Sequence, residues 1–427
     1  MKTYIRTLAL GFVTSWTFTG DGVAEDWPQW RGPDRTDVSK ETGLLRAWPR
    51  EGPKLRWTFK NSGIGFSGPA VVGGTLYIMG ARGGVEQLLA IDVAEGRELW
   101  SLDVGGVFEI ARGNGPRSTP TVANGRVYAL GAKGNLVCAD AADGRLIWKA
   151  SMSDLGGTPP EWGYCESVLV DAGRVICTPG GPKGALAALD AATGKLVWQA
   201  REFTDPAQYA SPIVFAWAGV RQYAQLTMKS LVGVQASDGK LLWKSDWPGQ
   251  TAVIPTPIYR DGHVYISSGY GVGSKLVRLG TDQSVSDVYV NKVMKNQHGG
   301  VILIGDHLYG YSDGAGWTCQ DFKTGEAVWS EREKLGKGAI AYADERLYCL
   351  SQDEGIVALV EASTAGWKEH GRFQLPYDSA LRQPKWLVWT HPVISGGRLY
   401  LRNQELLFSY DVKADRDRPA DGPSRRR

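Results

Sequence analysis

One unit recurs along this chain: an apolar run, then Asp, three residues, Gly, three residues and Trp. It reads Leu89-Ala90-Ile91-Asp92…Gly96…Trp100, then Val137-Cys138-Ala139-Asp140…Gly144…Trp148, then Ala188-Leu189-Asp190…Gly194…Trp198. It returns with Gln in place of Asp at Gln235…Gly239…Trp243, and again as Asp321…Gly325…Trp329. Successive Trp separations are 48, 50, 45 and 86 residues, the last being two periods. A unit of this length cannot bury its own apolar face, so the copies must stack on one another.

A second element precedes each unit: a turn with Gly or Asp, then a short alternating strand centred on an aromatic. Gly74-Thr75-Leu76-Tyr77, Gly125-Arg126-Val127-Tyr128 and Gly262-His263-Val264-Tyr265 show it, as do the strands ending at Tyr309, Tyr348 and Tyr400. Weaker copies around Ile176 and Tyr223 bring the number to eight. Each unit offers four short strands: one before the turn, the Tyr strand, the run ending in Asp, and the strand carrying Trp. In the Asp…Gly turn the carboxylate takes backbone N–H groups ahead of it and Gly supplies the positive φ that closes the hairpin. Four strands in each of eight units predict a single eight-bladed β-propeller of four-stranded antiparallel blades over residues 51–412. The last copy stops at Asp411 without its Gly…Trp half, while Gly52-Pro53-Lys54-Leu55-Arg56-Trp57 stands alone near the start. The N-terminal strand is therefore expected to complete the last blade and close the ring, leaving no open edge there. Trp57, Trp100, Trp148, Trp198, Trp243 and Trp329 are read as structural, each covering the flank of a neighbouring sheet.

Composition agrees with an all-β chain: 55 Gly, 17 Trp and 17 Tyr in 427 residues. A net charge of +3 is too small to argue for nucleic acid. Residues 1–24 read as a signal peptide, with Lys2 and Arg6, an apolar stretch from Leu8 to Phe18, and small residues before a cut after Ala24. About eleven apolar residues are too few to span a bilayer as a helix, so no transmembrane segment is expected. The protein is thus expected to be exported, periplasmic or extracellular. Residues 25–50 form an N-terminal extension and 413–427 a disordered charged tail. Five cysteines at no metal or haem spacing are expected to be buried thiols, except that Cys165 and Cys177 flank one hairpin and could pair.

The unit resembles the pyrroloquinoline quinone (PQQ)-type propeller repeat with its tryptophan-docking motif, over roughly residues 50–412. That repeat is shared by PQQ-dependent alcohol dehydrogenases, BamB-type assembly factors and exported PQQ-like propellers without an assigned activity. Trp27-Pro28-Gln29-Trp30-Arg31-Gly32-Pro33 and Gly115-Pro116-Arg117-Ser118-Thr119-Pro120 look most like the third group. The dehydrogenases' adjacent cysteines, the Cys-x-x-Cys-His of their haem-bearing relatives and the acylated Cys of BamB-type lipoproteins do not occur in this sequence.

Propellers place binding sites at the mouth of the central channel. Counting back from each Tyr strand puts Phe66, Ser67, Arg117, Ser118, Cys165, Glu166 and Tyr209 there. Ile254, His298, Lys337, Trp389 and His391 complete the circuit. Arg117 and Lys337 would meet the carboxylates of a small planar anionic ligand, and Tyr209 or Trp389 would stack on it. If PQQ and calcium bind, Glu166 is the expected metal ligand. The alternative is that these groups pair with one another in a wet channel mouth. The reading carried forward is a monomeric binding or scaffold protein with a protein or peptide partner, at the funnel or a blade edge. A PQQ- and calcium-dependent oxidoreductase is the alternative.

Overall fold

The computed structural model describes residues 25–414; the expected signal peptide and the charged run Asp415–Arg427 lie outside them. Eight antiparallel four-stranded sheets follow in order around a ring. Blade 1 spans residues 70–106, blade 2 121–151, blade 3 169–199, blade 4 213–246, blade 5 258–291, blade 6 301–331 and blade 7 338–374. Blade 8 takes three strands from residues 393–411 and its outermost strand from Lys54–Phe59, which pairs with Leu406–Asp411. The first propeller strand thus closes the ring.

Within a blade the register explains the repeat. In blade 2, Thr121 faces Tyr128, Tyr128 faces Cys138 and Cys138 faces Trp148, a single row across four strands. A bulge after Cys138 brings Trp148 rather than Ile147 into that row. The bulge recurs at the same place in blades 1, 3, 4, 5 and 6. The docked Trp leans on the Tyr of its own blade, as in Trp148–Tyr128 at 5.9 Å between ring centroids, except in blade 3, where Ile176 holds that position and Trp198 meets Tyr223 of blade 4 at 6.1 Å. Its indole N–H donates to a carbonyl in the next blade's turn: Trp100 to Ala141, Trp148 to Ala191, Trp198 to Ala236, Trp329 to Ser363 and, across the closure, Trp57 to Val93. The turn glycine has a second duty here. Gly144 has φ +72°, and a Cβ built on it would stand 2.5 Å from the Trp100 ring. Only glycine gives both the left-handed turn and the room for the neighbour's indole.

Three blades depart from the rule: the outermost strand of blade 7, Glu369–Gln374, carries no Trp, and blades 4 and 5 rearrange theirs. Trp243 stays in its own sheet over Gly233, its N–H on the Gln222 side chain at 2.6 Å. Blade 5 lacks the Asp…Gly turn that would receive it, and Trp217, from the innermost strand of blade 4, donates to Gly280 instead. On blade 5 itself Tyr289 takes the missing Trp's place, its hydroxyl on the Phe322 carbonyl at 3.1 Å and its ring against Gly325. This accounts for the doubled interval between Trp243 and Trp329. All five cysteines are free thiols, four buried and Cys165 half-buried.

The extension is not a loose appendage. Residues 25–41 enter the ring from the side of the innermost hairpins and cross the channel. Trp27 exchanges backbone hydrogen bonds with Val71 in blade 1, and Pro28 accepts one from Val122 in blade 2. Arg35 donates to the carbonyls of Ser167 and Val168 in the approach to blade 3 and Pro212 in the approach to blade 4. Trp30 bonds Thr256 beside blade 5, Arg31 the Val301 carbonyl of blade 6, and Asp37 and Ser39 the backbone of Tyr342 in blade 7. Glu41 receives the amides of Gly396 and Gly397 in blade 8. One segment touches every blade.

Candidate binding site at the funnel face

Each predicted site residue lies in the irregular stretch that crosses from one blade's outermost strand to the next blade's innermost one. Arg117 is half-buried between two aromatic rings, its guanidinium carbon 5.6 Å from the centroid of Phe66 and 5.3 Å from that of Phe108. It donates to the carbonyls of Gly113 and Gly115, which curl the loop around it. Tyr209 is buried 5.6 Å from Trp162, whose amide N–H its hydroxyl accepts. Burial pushes the Cys165 thiol up to about 12, with the Arg117 charge opposing, so this sulfur is held as a neutral thiol.

On the opposite rim Gln352 organises the site, a residue the repeat pattern did not single out. Its side-chain oxygen lies 2.6 Å from His298 Nε2 and accepts the Trp389 indole N–H at 3.1 Å. Burial, then the nearby Lys337 charge, depress His298 to about 3, so its imidazole is neutral. With Nε2 as the donor, Nδ1 is a buried acceptor without a partner. Trp389 stands 5.2 Å from Phe66, which links the two halves of the rim. Lys337 is paired with Asp313 at 2.5 Å and with the Gln297 side chain. Ile254 is half-buried, and Ser67 and Ser118 are buried, bonded to Met79 N–H and the Leu130 carbonyl.

The floor belongs to the N-terminal segment. His391 is buried with Nδ1 3.2 Å from Asp37, Nε2 2.9 Å from the His298 carbonyl, and its ring 4.5 Å from that of Trp30. Asp37 also pairs with Arg31 at 2.8 Å, both side chains 1% exposed. Glu166 sits at this lower level as well. One oxygen accepts the Thr178 amide, the other has no partner, and its nearest compensating charge is Arg35. Burial raises its carboxyl to about 7. The structure therefore brings Arg117, Tyr209 and Cys165 together on one side, and His298, Lys337 and Trp389 on the other. Glu166 and His391 face the plugging segment. That segment's place in the ring carries no periodic signal; its only sequence mark is the density of Trp, Arg, Gly and Pro between Trp27 and Arg35.

These groups do not fit PQQ with calcium. A hard cation needs several charged or carbonyl oxygens. Among the described residues no group of three or more His, Cys, Asp or Glu could hold a metal ion, and Glu166 is a lone carboxyl raised toward neutrality. Both expected carboxylate-binding cations already hold acceptors of the chain itself.

The family model described as outer membrane protein assembly factor BamB matches residues 86–331. The BamB of Yersinia pestis is 32% identical over 146 residues, covering 32% of this chain and 34% of that protein. The BamB of Escherichia coli K12 is 30% identical over 114 residues, 26% of each. The chain thus spans about a third of the length of the curated relatives it matches. Among solved structures, BamB from Moraxella catarrhalis aligns with a TM-score of 0.56 and 15% identity, covering 83% of this chain and 96% of that one. A quinohemoprotein alcohol dehydrogenase from Comamonas testosteroni aligns at 0.61 and 14%, covering 93% and 82%. At such identities these likenesses concern the fold alone.

Proposed function

The chain belongs to the outer membrane protein assembly factor BamB family, and on that premise we propose that it is an exported, non-catalytic scaffold that binds a protein partner during outer-membrane protein assembly. One observation carries the reading: the cations of the funnel are already spent on the chain's own carbonyls and carboxylates, Arg117 on Gly113 and Gly115 and Lys337 on Asp313. A small anion would have to displace them, whereas a protein surface can use the rim as it stands. The loops over the funnel are fastened to one another, the Trp386 indole donating to the Ala111 carbonyl at 3.2 Å, and present Arg112, Glu161 and Tyr270 outward. The blade edges offer a second surface. Outermost strands keep Leu99, Leu196 and Val290 between 42% and 59% exposed beside an unpaired backbone edge, which suits strand addition.

The test is an outer-membrane protein assembly reaction lacking BamB, to which the purified mature protein is added. A rise in correctly assembled product, abolished by Val290→Lys on the blade edge or by Tyr270→Glu at the funnel, supports the scaffold and locates its contact. No rise, together with a saturable, calcium-dependent increase in melting temperature on adding PQQ, would replace it with the oxidoreductase. A bound cofactor at a hundredfold excess over its dissociation constant stabilises by about 2.7 kcal/mol, which a melt resolves.

A further inference from the structure

The N-terminal segment meets the ring as a bound peptide meets a receptor. Its backbone pairs with the ring at both ends, Trp27 with Val71 and Val38–Ser39 alongside Tyr342, and between them residues 30–35 coil through consecutive turns with left-handed φ at Arg31, Gly32 and Arg35. Between these anchors two arginines four residues apart are buried, Arg31 at 2% and Arg35 at 4% exposure. Arg35 is held by three carbonyls from the approaches to two neighbouring blades, Ser167, Val168 and Pro212. Arg31 takes the Val301 carbonyl from across the channel, with Asp37 of the segment itself on its other side. A fixed fork of N–H donors suits such convergent carbonyls far better than an ammonium would.

The wall is also shaped for the segment. Gly300 has φ +79°, and a Cβ there would stand 2.9 Å from the His391 ring and 3.4 Å from Asp37. None of these contacts needs the link that follows, in which Thr42 and Gly43 are exposed. We infer that the central channel is a peptide-binding site that reads two guanidinium groups four residues apart, and that residues 25–41 are its resident ligand. While they are bound, the funnel is a blind cup floored by Trp30 and His391. A segment of the same chemistry from a second copy of this chain competes for the same carbonyls. The inference is independent of the partner proposed above.

The experiment keeps the whole chain. A protease site is inserted between Thr42 and Gly43, the folded protein is cleaved, and gel filtration follows. The segment is expected to co-elute with the ring and to be displaced by an excess of a fluorescent synthetic peptide of residues 25–42, with saturable anisotropy. The same peptide carrying R31A and R35A should bind at least tenfold more weakly. Separation of the segment on the column, unfolding of the ring after the cut, or equal exchange by the two peptides would each overturn the inference. Hydrogen exchange on the uncut protein adds an arm that needs no variant: the amides of Trp27 and Ser39, which donate to Val71 and Tyr342, should be protected like those of the blades, and exchange at loop rates would refute it.

Discussion

At the scale of single residues, the docked indoles and the turn glycines form one device. Trp148 is 8% exposed, packs on Tyr128 and donates to Ala191 of the next blade. Truncating it removes a large buried ring and leaves a cavity between blades 2 and 3, so Trp148→Ala should cost about 3–5 kcal/mol in urea denaturation. Gly144→Ala attacks the same kind of seam from the other side, adding a Cβ 2.5 Å from Trp100 at a positive φ; it should cost more than about 1 kcal/mol. Glu166 tests the electrostatics. In the folded protein it holds its proton up to about pH 7, whereas an exposed Glu releases it near its ordinary 4.5. The folded state therefore binds more protons between these values, and this group's contribution falls as pH rises from about 4.5 to 7. Glu166→Gln keeps an acceptor for the Thr178 amide but cannot ionise. Its stability relative to wild type should be higher at pH 8 than at pH 5, by an amount on the order of 3 kcal/mol; equal differences at the two pH values would contradict the burial argument.

At the scale of elements, the ring depends on its closure between blades 8 and 1. The N-terminal strand supplies the edge of blade 8, and Arg402 stitches the seam from inside. That side chain is 1% exposed and donates to the carbonyls of Ser67, Met79, Gly63 and Gln404. Arg402→Met fills much of the same space but leaves these buried acceptors without donors, each worth about 1–3 kcal/mol. The expected result is a loss above about 3 kcal/mol, with hydrogen exchange accelerating first in residues 54–59 and 398–411. Uniform acceleration around the ring would show that the closure is no weaker than any other seam. The structural half of this device was legible in sequence, because the last repeat lacks its Trp strand and the first strand lacks a blade. Arg402 was not, since a lone Arg in an apolar strand looks like any solvent-facing cation until the blades meet.

At the scale of the whole molecule, the channel is the decisive region, and here reading the chain and seeing it folded part company. The candidate ring was legible because Arg117, His298, Lys337 and Trp389 each sit eleven residues before their Tyr, with Tyr209 a little further ahead of Tyr223. What those groups do was not legible, because Gln352, Asp313 and Arg35 come from other loops and blades, and Gly113 and Gly115, although in Arg117's own loop, meet its guanidinium only once that loop has curled. The eight blades, their order, the closing strand and a Trp on the outermost strand covering a neighbour's flank could all be read from the chain, Trp243 being the exception to the last. Those follow from local period and turn chemistry repeated many times over. Folding alone reveals that residues 25–41 fill the channel and that Trp217 and Tyr289 stand in where the Trp motif lapses. Such contacts join residues from tens to hundreds of positions apart, occur once each, and leave no period to read.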